Sequence, residues 1–422
     1  MKLLKNIQIL LVIVAMGACS DSAESNEDDP VLVISVDAGQ DIQSDSSDLQ
    51  QDVRERSPLL DPDYVNTSTI SLPTELANYA KPVIPDHFKV ETERFHNQQA
   101  LMTEDNTPAD NPTTDEGATL GRVLFYDTNL SKNQTVACAS CHKAEFGFSD
   151  NLVLSDGFEK GKTGRHSMGL TNARFYRNGK FFWDQRAETL EAQVLMPLQD
   201  EVEMGMTLDL VVARVEEASY YPELFKAAFG STEVSEEKIS KALAQFVRSM
   251  VSTTSPYDEG RSRVASRSAS FPTFTTLENN GKFLFSSPPP RGGFGCFVCH
   301  QGEGFIGVNA TSNGLDVDVS EDLGYGKVSE NSARDGHFKV PSLRNVAVRA
   351  PFMHDGRFST LEEVIEHYSS GVQSSPNLQG PLSGSRQFNM TENQKASLVA
   401  FLKTLTDEDM LKDPKFSDPF DK

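Results

Sequence analysis

The sequence predicts a mainly α-helical fold with two similar halves, preceded by an acidic segment that is not expected to fold. Two copies of one pentapeptide mark the halves, Cys138-Ala-Ser-Cys141-His142 and Cys296-Phe-Val-Cys299-His300. Apolar residues recur with helical periodicity in most patterned segments, and strand signals are sparse. Long loops rich in Gly, Pro and Asn join these segments, which is typical of a fold in which bound cofactors supply much of the core.

The pentapeptide C-x-x-C-H is the attachment signature of c-type haem. Its two thiols each add to a haem vinyl group, and the adjacent histidine, His142 or His300, reaches the iron. A pair of redox disulfides or a split zinc site is the alternative, because C-x-x-C alone suits both. The histidine that follows both pairs favours two covalently bound haem c groups. The predicted attachment residues are Cys138, Cys141, Cys296 and Cys299.

The N-terminus has the form of an export signal. Lys2 and Lys5 precede the apolar run 7–16, and Gly17-Ala18-Cys19 follows. We therefore expect residues 1–18 to be a signal peptide of the lipoprotein type and Cys19 to be lipidated, which would tether the protein to a membrane in the periplasm or cell envelope. Ordinary signal cleavage is the alternative. No later apolar run approaches the ~18 residues that a membrane span needs.

Residues 19–84 are predicted to be a disordered acidic linker. Between residues 20 and 63 there are 13 acidic and 2 basic residues, a net charge of −11, which is half of the chain's −22. The apolar run 31–36 is compatible with a short strand. The acidic balance argues against nucleic acid as a partner.

The remaining length suits two domains and a short tail. We predict an N-terminal haem c domain over residues 85–255, a C-terminal haem c domain over residues 256–412, and a tail over residues 413–422. Similar segments precede the two pentapeptides, Gly121-Arg-Val-Leu-Phe125 and Gly281-Lys-Phe-Leu-Phe285. This similarity suggests duplication of one haem-binding unit.

Capping residues predict where several helices begin. Ser235 is a good N-cap for a helix whose apolar residues share one face. Thr360 with Glu363, and Thr391 with Gln394, form capping boxes before two further apolar faces. The residues expected on these buried faces are Ile239, Leu243, Phe246, Val247, Met250, Leu361, Val364, Ile365, Tyr368, Leu398, Phe401, Leu402 and Leu405.

Five further motifs carry a resemblance to a known family. They are Leu120-Gly-Arg-Val-Leu-Phe-Tyr-Asp127, Phe182-Trp-Asp-Gln-Arg-Ala187, Leu190-Glu-Ala-Gln193, Val340-Pro-Ser-Leu-Arg-Asn345 and Ala350-Pro-Phe-Met-His-Asp-Gly356. Together they resemble the bacterial di-haem cytochrome c peroxidase and MauG family, over about residues 85 to 410. The resemblance implies an all-α fold with two c-type haem domains, of which the first reacts with peroxide and the second transfers electrons.

The resemblance also implies roles for residues near the first haem. Glu203 matches the family's acid–base residue, Gln193 the residue that positions peroxide or water, and Pro197 lies at the same face. On residue type alone, Gln193 is an ordinary helix residue and Glu203 belongs to the charged run 200–203. Trp183 lies where the family places an indole between its haems, and its alternative role is that of a core residue.

At the second haem the family divides between a methionine and a tyrosine as sixth iron ligand. The position fourteen residues after His354 is Tyr368, and a tyrosinate ligand would lower the haem potential. The alternatives are a core tyrosine or ligation by Met353. At the first haem, His166 lies where some relatives carry a blocking histidine, but it fits better as part of the family's Arg-Asn segment.

The family also places a calcium ion between its haems. By resemblance its ligands are the side chain of Asn172 and the backbone carbonyls of Arg349 and Pro351. Arg349 stands where relatives often have a small residue, so it brings a positive charge to this site.

The predicted function is that of a di-haem c peroxidase. It reduces hydrogen peroxide to water with electrons from a small cytochrome c or cupredoxin, which enter through the second haem. One alternative is MauG-like oxidation of a partner protein's side chain through a high-valent di-haem state. A non-enzymatic di-haem electron carrier is the second alternative. A homodimer is compatible with any of these functions.

Overall fold

The computed structural model describes residues 31–33, 56–90, 100–383 and 387–421. Over these ranges the fold is mainly helical with little strand, as predicted. The predicted signal peptide, Cys19 and the first part of the predicted linker lie outside the described residues, apart from 31–33. In the described part of the chain, no helix has both the length and the apolar character that crossing a membrane requires.

The helices fall into two groups that follow each other along the chain. Those up to residue 255 are α1 Asp86–Lys89, α2 Asp115–Tyr126, α3 Cys138–Cys141, α4 Leu190–Gln199, α5 Leu208–Glu217, α6 Tyr221–Phe229 and α7 Glu236–Ser249. Those that follow are α8 Pro256–Ser262, α9 Thr276–Ser286, α10 Tyr325–Ser329, α11 Leu361–Glu366, α12 Glu392–Lys403 and α13 Glu408–Lys412. We refer to the described residues up to 255 as the first half and to 256–412 as the second half.

Short elements complete the chain. Strand β1 (Val31–Val33) pairs antiparallel with β2 (Ser71–Pro73). A π-helical turn, His367–Gly371, follows α11 directly. The 3-10 turns are Leu101–Glu104, Thr128–Leu130, Ala144–Phe146, Ala173–Phe175, Pro289–Arg291, Cys296–Val298, Ser332–Arg334, Val346–Val348, Gly380–Leu382 and Pro414–Phe416.

In the first half, helices α2 and α7 cross at a glycine. A Cβ atom at Gly121 would lie 2.0 Å from the carbonyl oxygen of Ala242, so only glycine allows the two backbones to approach this closely. One turn further along α2, Phe125 packs edge-on against Phe246 with ring centroids 5.2 Å apart. This crossing lies within an apolar core that also includes residues of α4, α5 and α6.

The second half repeats this crossing with helices α9 and α12. A Cβ atom at Gly281 would lie 1.9 Å from the carbonyl oxygen of Ser397. Phe285 packs against Phe401, again with ring centroids 5.2 Å apart. The similar sequences before the two pentapeptides therefore build the same helix crossing twice, in two separate apolar cores.

The predicted helix starts are confirmed. The Ser235 side chain accepts a hydrogen bond from the backbone of Lys238 at the start of α7. Both capping boxes, at Thr360 and Thr391, are formed at the starts of α11 and α12. The apolar face predicted for α7 is buried along its whole length.

The predicted linker, residues 19–84, differs from the structure over its described part. From residue 56 onward this segment packs on the first half, with Leu60, Ile70 and Tyr79 buried. The backbone N–H groups of Tyr79 and Ala80 donate to the carboxylate of Asp115 at the start of α2, at 2.7 and 2.8 Å. The acidic composition of the segment as a whole concealed these apolar anchors.

The predicted tail, residues 413–422, also packs on the first half over its described part. The hydroxyl of Tyr126 donates to the carbonyl of Phe416, and the Arg122 side chain donates to the carbonyl of Ser417 at 2.7 Å. Ile70 forms an antiparallel bridge with Phe420. The end of the described chain therefore joins the segment that precedes the first half.

Candidate active site

The first cavity lies at the first pentapeptide and has a volume of about 720 Å³. Cys141 and His142 border it, and so do Gln193, Pro197 and Glu203. The structure therefore brings the predicted acid–base, positioning and attachment residues to one cavity, although 62 positions separate the first of them from the last.

The ring of His142 is oriented for metal binding. Its Nδ1 lies 2.9 Å from the carbonyl oxygen of Phe148 and 3.2 Å from the hydroxyl of Ser167. Because a carbonyl only accepts, Nδ1 carries the proton and Nε2 is left with its lone pair, as in histidines that ligate metals. Burial lowers the pKa of His142, which keeps the ring neutral and able to bind iron.

Helix α4 presents Gln193 and Pro197 to the cavity. Its N-cap, Thr189, accepts a hydrogen bond from the backbone of Ala192. Gln193 and Pro197 are four residues apart and therefore lie on one face of the helix. Proline has no atom that can ligate iron, so this face of the first cavity stays open to a small ligand.

Glu203 has the acidity that an acid–base residue needs near neutral pH. Burial and, to a smaller extent, the charge of Asp200 raise the pKa of its carboxyl to about 7, although the charge of Arg186 opposes this rise. Asp200 also fixes the turn that carries Glu203, since its carboxylate accepts from the backbone N–H of Glu203 at 3.0 Å. A group with this pKa both accepts and donates a proton readily.

The second cavity has a volume of about 220 Å³ and is bordered by Cys296, Cys299, His300 and Tyr368. Most of its other side chains are apolar. They include Phe285, Leu361, Ile365, Phe388, Leu398 and Leu402. The position held by Gln193 in α4, four residues after the N-cap threonine, is held by Val364 in α11, so the second cavity has no amide there.

The two proximal histidines differ in their hydrogen bonds. Burial lowers the pKa of His300 to about 4. Its Nδ1 makes no hydrogen bond within the described ranges, whereas Nδ1 of His142 is engaged by Phe148. The backbone carbonyls of Phe305 and Pro341 nevertheless lie close enough to His300 to raise its pKa, so the two rings differ in hydrogen-bond geometry and share the same kind of partner.

Two loops of the same form lead into α4 and α11. Residues 181–187 and 352–358 are each closed by an antiparallel bridge between the first and last residue. Trp183 and His354 occupy equivalent positions in these loops. Pro197 and Tyr368 are likewise equivalent, because each lies eight residues after the threonine that caps its helix, Thr189 or Thr360 in turn.

Tyr368 therefore stands in the second cavity where Pro197 stands in the first. It lies in the π-helical turn after α11. Burial raises its pKa, and the thiol groups of Cys299 and Cys296 raise it further, which places the phenol near the attachment cysteines. Met353 also borders this cavity, and its sulfur accepts from the Asn313 amide at 3.4 Å. The alternative of ligation by Met353 thus stays open.

Trp183 borders both cavities. Its indole N–H donates to the carbonyl of His166 at 2.7 Å, and its own carbonyl accepts from the backbone N–H of Lys339 at 2.7 Å. The indole lies 6.4 Å from the ring of His354, which stacks on Phe338 at 3.7 Å. The predicted relay residue is therefore held in a fixed orientation between the two sites.

The ring of His166 is engaged on both of its nitrogens. Nδ1 lies 3.0 Å from the carbonyl of Leu152, and Nε2 lies 3.3 Å from the hydroxyl of Ser149. The Ser149 hydroxyl also donates to Ser167, which contacts His142. His166 thus lies beside the proximal histidine, and this arrangement does not support ligation of the first iron by His166.

Sequence reasoning missed Lys339, which borders both cavities. Its ammonium lies 3.6 Å from the ring centroid of Tyr176 and 4.4 Å from that of Phe181. Burial lowers its pKa to about 7. The available signal was its position directly before the motif Val340–Asn345.

The pentapeptides fit haem better than the alternatives. Their four cysteines are free, so neither pair forms a disulfide. In the part of the chain that the structure describes, no three His, Cys, Asp or Glu side chains are grouped to hold a metal ion, which argues against zinc. Cys141 with His142, and Cys296 and Cys299 with His300, instead border two cavities.

The residues predicted to bind calcium do not fit that ion. The side-chain oxygen of Asn172 accepts from the backbone N–H of Ser252 at 3.0 Å, and its amide nitrogen has no partner within the described ranges. The side chain of Arg349 is buried and turned into the interior against Gly147 and Gly169. A guanidinium at this place opposes a divalent cation by like-charge repulsion.

Comparisons with known proteins agree with this geometry. Residues 115–264 match the family model described as di-haem cytochrome c peroxidase. The chain is 36% identical to the methylamine utilization protein MauG of Methylorubrum extorquens, over 71% of this chain and 81% of that protein. It is 32% identical to the cytochrome c551 peroxidase of Nitrosomonas europaea, over 70% and 81%. A crystal structure of a MauG-like protein associated with microbial copper homeostasis superposes with a TM-score of 0.65 and 33% identity, over 78% of this chain and 99% of that one.

Proposed function

Because the chain belongs to the di-haem cytochrome c peroxidase and MauG family, which implies two covalent haem c groups, we propose that it uses peroxide to oxidise a side chain of a partner protein. Peroxide would react in the first cavity, where Cys138, Cys141 and His142 would hold one haem, and Cys296, Cys299 and His300 would hold the other; the two haems together would supply the oxidising capacity. The observation that supports this proposal is a difference between equivalent positions. Eight residues after the capping threonine, the first half has Pro197 and the second half has Tyr368.

In the first cavity, haem iron supplies the electrons that break the O–O bond of peroxide. Glu203 takes a proton from the peroxide oxygen nearer the iron and delivers it to the farther oxygen, which leaves as water. A carboxyl with a pKa of about 7 suits both steps. The Gln193 amide orients peroxide by hydrogen bonding, and Pro197 leaves the space that peroxide needs.

Between the cavities, Trp183 relays electrons. Its indole borders both sites, and two backbone hydrogen bonds, to His166 and from Lys339, hold it there. A fixed aromatic ring between two redox centres shortens the distance over which an electron has to pass. The alternative role as a core residue does not explain why the indole faces two cavities.

In the second cavity, Tyr368 supplies an anionic oxygen ligand. Such a ligand favours oxidised over reduced iron, so the second haem stores an oxidising equivalent more readily than it accepts electrons from a donor. The similarity to proteins named MauG, and to a MauG-like protein of known structure, supports a protein as substrate.

A second candidate function is reduction of hydrogen peroxide with electrons from a small cytochrome c or cupredoxin. The similarity to a cytochrome c551 peroxidase supports it, and so does Met353 at the second cavity. In this case Met353 would be the second iron ligand, and electrons would enter through the second haem.

The test is stopped-flow addition of one equivalent of peroxide to the fully oxidised, haem-loaded protein without an electron donor. The proposal expects immediate reaction and an oxidised form that persists until a protein substrate is added. Reaction only after one-electron reduction would favour the second candidate. No reaction in either state would overturn both and favour a di-haem electron carrier.

We further propose that the protein works in the periplasm or cell envelope, tethered through a lipid on Cys19. The signal-like residues 1–18 support this location. Labelling cells with a radioactive or alkyne fatty acid should mark the wild-type protein and leave C19S unlabelled. Equal labelling of both would contradict the anchor.

A further inference from the structure

We propose that the guanidinium of Arg349 is a built-in cation between the two haem cavities, which takes the place of a bound calcium ion. The inference depends on the presence of two haems and not on the reaction with peroxide. It concerns the ion content of the protein and the electrostatics shared by its two sites.

The side chain of Arg349 links residues that border both cavities. Arg349 itself borders the second cavity, and its Nη2 donates to the carbonyl of Ser342, which borders the first. Gly169 lies beside the guanidinium and borders both. The charge therefore lies next to both sites.

Two glycines of the first half leave the space that this side chain occupies. A Cβ atom at Gly169 would lie 2.5 Å from Nη1 of Arg349, and one at Gly147 would lie 2.8 Å from its Cγ. Gly147 also has a φ of +64°, which favours glycine. The loops of the first half thus leave room for an arginine that belongs to the second half.

The guanidinium is buried without a carboxylate partner. None of the ion pairs within the described ranges involves Arg349, and its Nε has no hydrogen-bond acceptor there. Burial lowers its pKa to about 10, so it stays charged at neutral pH. An unpaired buried cation is costly, and the propionate carboxylates that haem carries are the anions that would offset this cost.

A calcium ion would have done the same electrostatic work, but the one side-chain oxygen predicted to bind it is already hydrogen-bonded. Calcium takes 6–8 oxygen ligands. The one side-chain oxygen predicted here, on Asn172, already accepts from Ser252. Asn172 also has an unpartnered amide N–H, which is a donor and repels a cation. The chain itself supplies the positive charge through Arg349.

The experiment uses the full-length, haem-loaded protein with four sequences: wild type, R349Q, R349K and R263Q. Arg263 is an exposed arginine paired with Glu259, so R263Q removes the same charge from the surface. Calcium content is measured by atomic emission after gel filtration, and the two haem potentials by spectroelectrochemical titration. Neither measurement involves peroxide, so failure here is distinguishable from failure of the proposed function.

We expect wild type to hold far less than one calcium ion per chain and to keep its spectrum in excess chelator. R349Q should shift both haem potentials to more negative values, because removal of a positive charge destabilises the reduced iron. R349K should restore most of this shift, and R263Q should leave both potentials unchanged. If R349Q does not fold, the calcium content of wild type still decides. About one tightly bound calcium ion per wild-type chain would overturn the proposal, as would potentials of R349Q equal to those of R263Q.

Discussion

The two halves of this protein share a scaffold and differ in what the scaffold presents to each cavity. In both halves a glycine allows two helices to cross, a phenylalanine packs beside the proximal histidine, and a bridged loop leads into a capped helix. The ring of Phe125 lies 6.4 Å from that of His142, and the ring of Phe285 lies 6.3 Å from that of His300. The frame around each attachment site is therefore nearly the same.

The difference lies on the helix that follows the bridged loop. Eight residues after its capping threonine, the first half has Pro197 and the second has Tyr368. Four residues after it, the first half has Gln193 and the second Val364. One cavity is thus polar and open, and the other is apolar and offers a phenol. The same frame therefore presents different side chains to the two cavities through a few positions on one helix.

The largest effect is expected from removing the acid–base group of the first cavity. E203Q should slow the reaction with peroxide by roughly 10²–10⁴-fold, because the amide cannot accept and return the proton. The control is E201Q, since Glu201 belongs to the same charged run and is exposed. Stopped-flow rates measure both variants. Equal slowing by E201Q would assign the effect to general charge and not to Glu203.

The next effect tests whether the shared frame is equally important in both halves. G121A and G281A should each lower the free energy of unfolding by roughly 2–3 kcal/mol, because a Cβ at either position meets a backbone carbonyl. G164A is the control, since nothing lies within 4 Å of a Cβ there. Chemical denaturation of the haem-loaded protein measures all three. If alanine were tolerated at one crossing and not at the other, the two halves would differ in packing although their helix geometry is alike.

A smaller effect tests the ligand in the second cavity. Y368M should raise the potential of one haem by roughly 100–300 mV, because it exchanges a hard anionic ligand for a thioether. M353L is the matched control and should leave both potentials in place. Redox titration followed by absorption separates the two haems. The opposite pattern, with M353L altering a potential and Y368M silent, would assign ligation to Met353.

The smallest effect concerns the acidity of Glu203. Glu203 has to be deprotonated to accept a proton, so the rate with peroxide should fall below about pH 7, where its carboxyl becomes protonated. Asp200 raises the pKa of Glu203, so D200N should move this inflection to lower pH by less than about one unit. D209N, an exposed change on α5, should leave the profile where it is. An unshifted profile in D200N would remove Asp200 as the cause.

Several features of this molecule could be predicted from its sequence because they are local. The pentapeptides fix the attachment residues, and the capping boxes at Thr360 and Thr391 fix where α11 and α12 begin. The burial of the α7 face follows from periodicity alone. Family resemblance added the residues of the first cavity, and the structure places Gln193 and Glu203 together there.

Other features depend on contacts between distant residues and left no local signal. Gly121 and Gly281 look like ordinary helix glycines until the partner helix is known. The inward course of the Arg349 side chain depends on the absence of side chains at Gly147 and Gly169. Residues 56–84 adopt a defined structure because they pack on a surface that exists only once α2 has formed.

The last described segment has a consequence for how the chain folds. The hydroxyl of Tyr126, on helix α2, binds the backbone of Phe416, across a separation of 290 residues. The whole second half lies between these two partners. The first apolar core is therefore completed by residues that follow the second core in the sequence. Contacts between residues so far apart in the sequence give a high contact order, which slows folding. The two halves have the same form, but they fold as one unit. The first half is complete only when the residues that follow the second half pack against it.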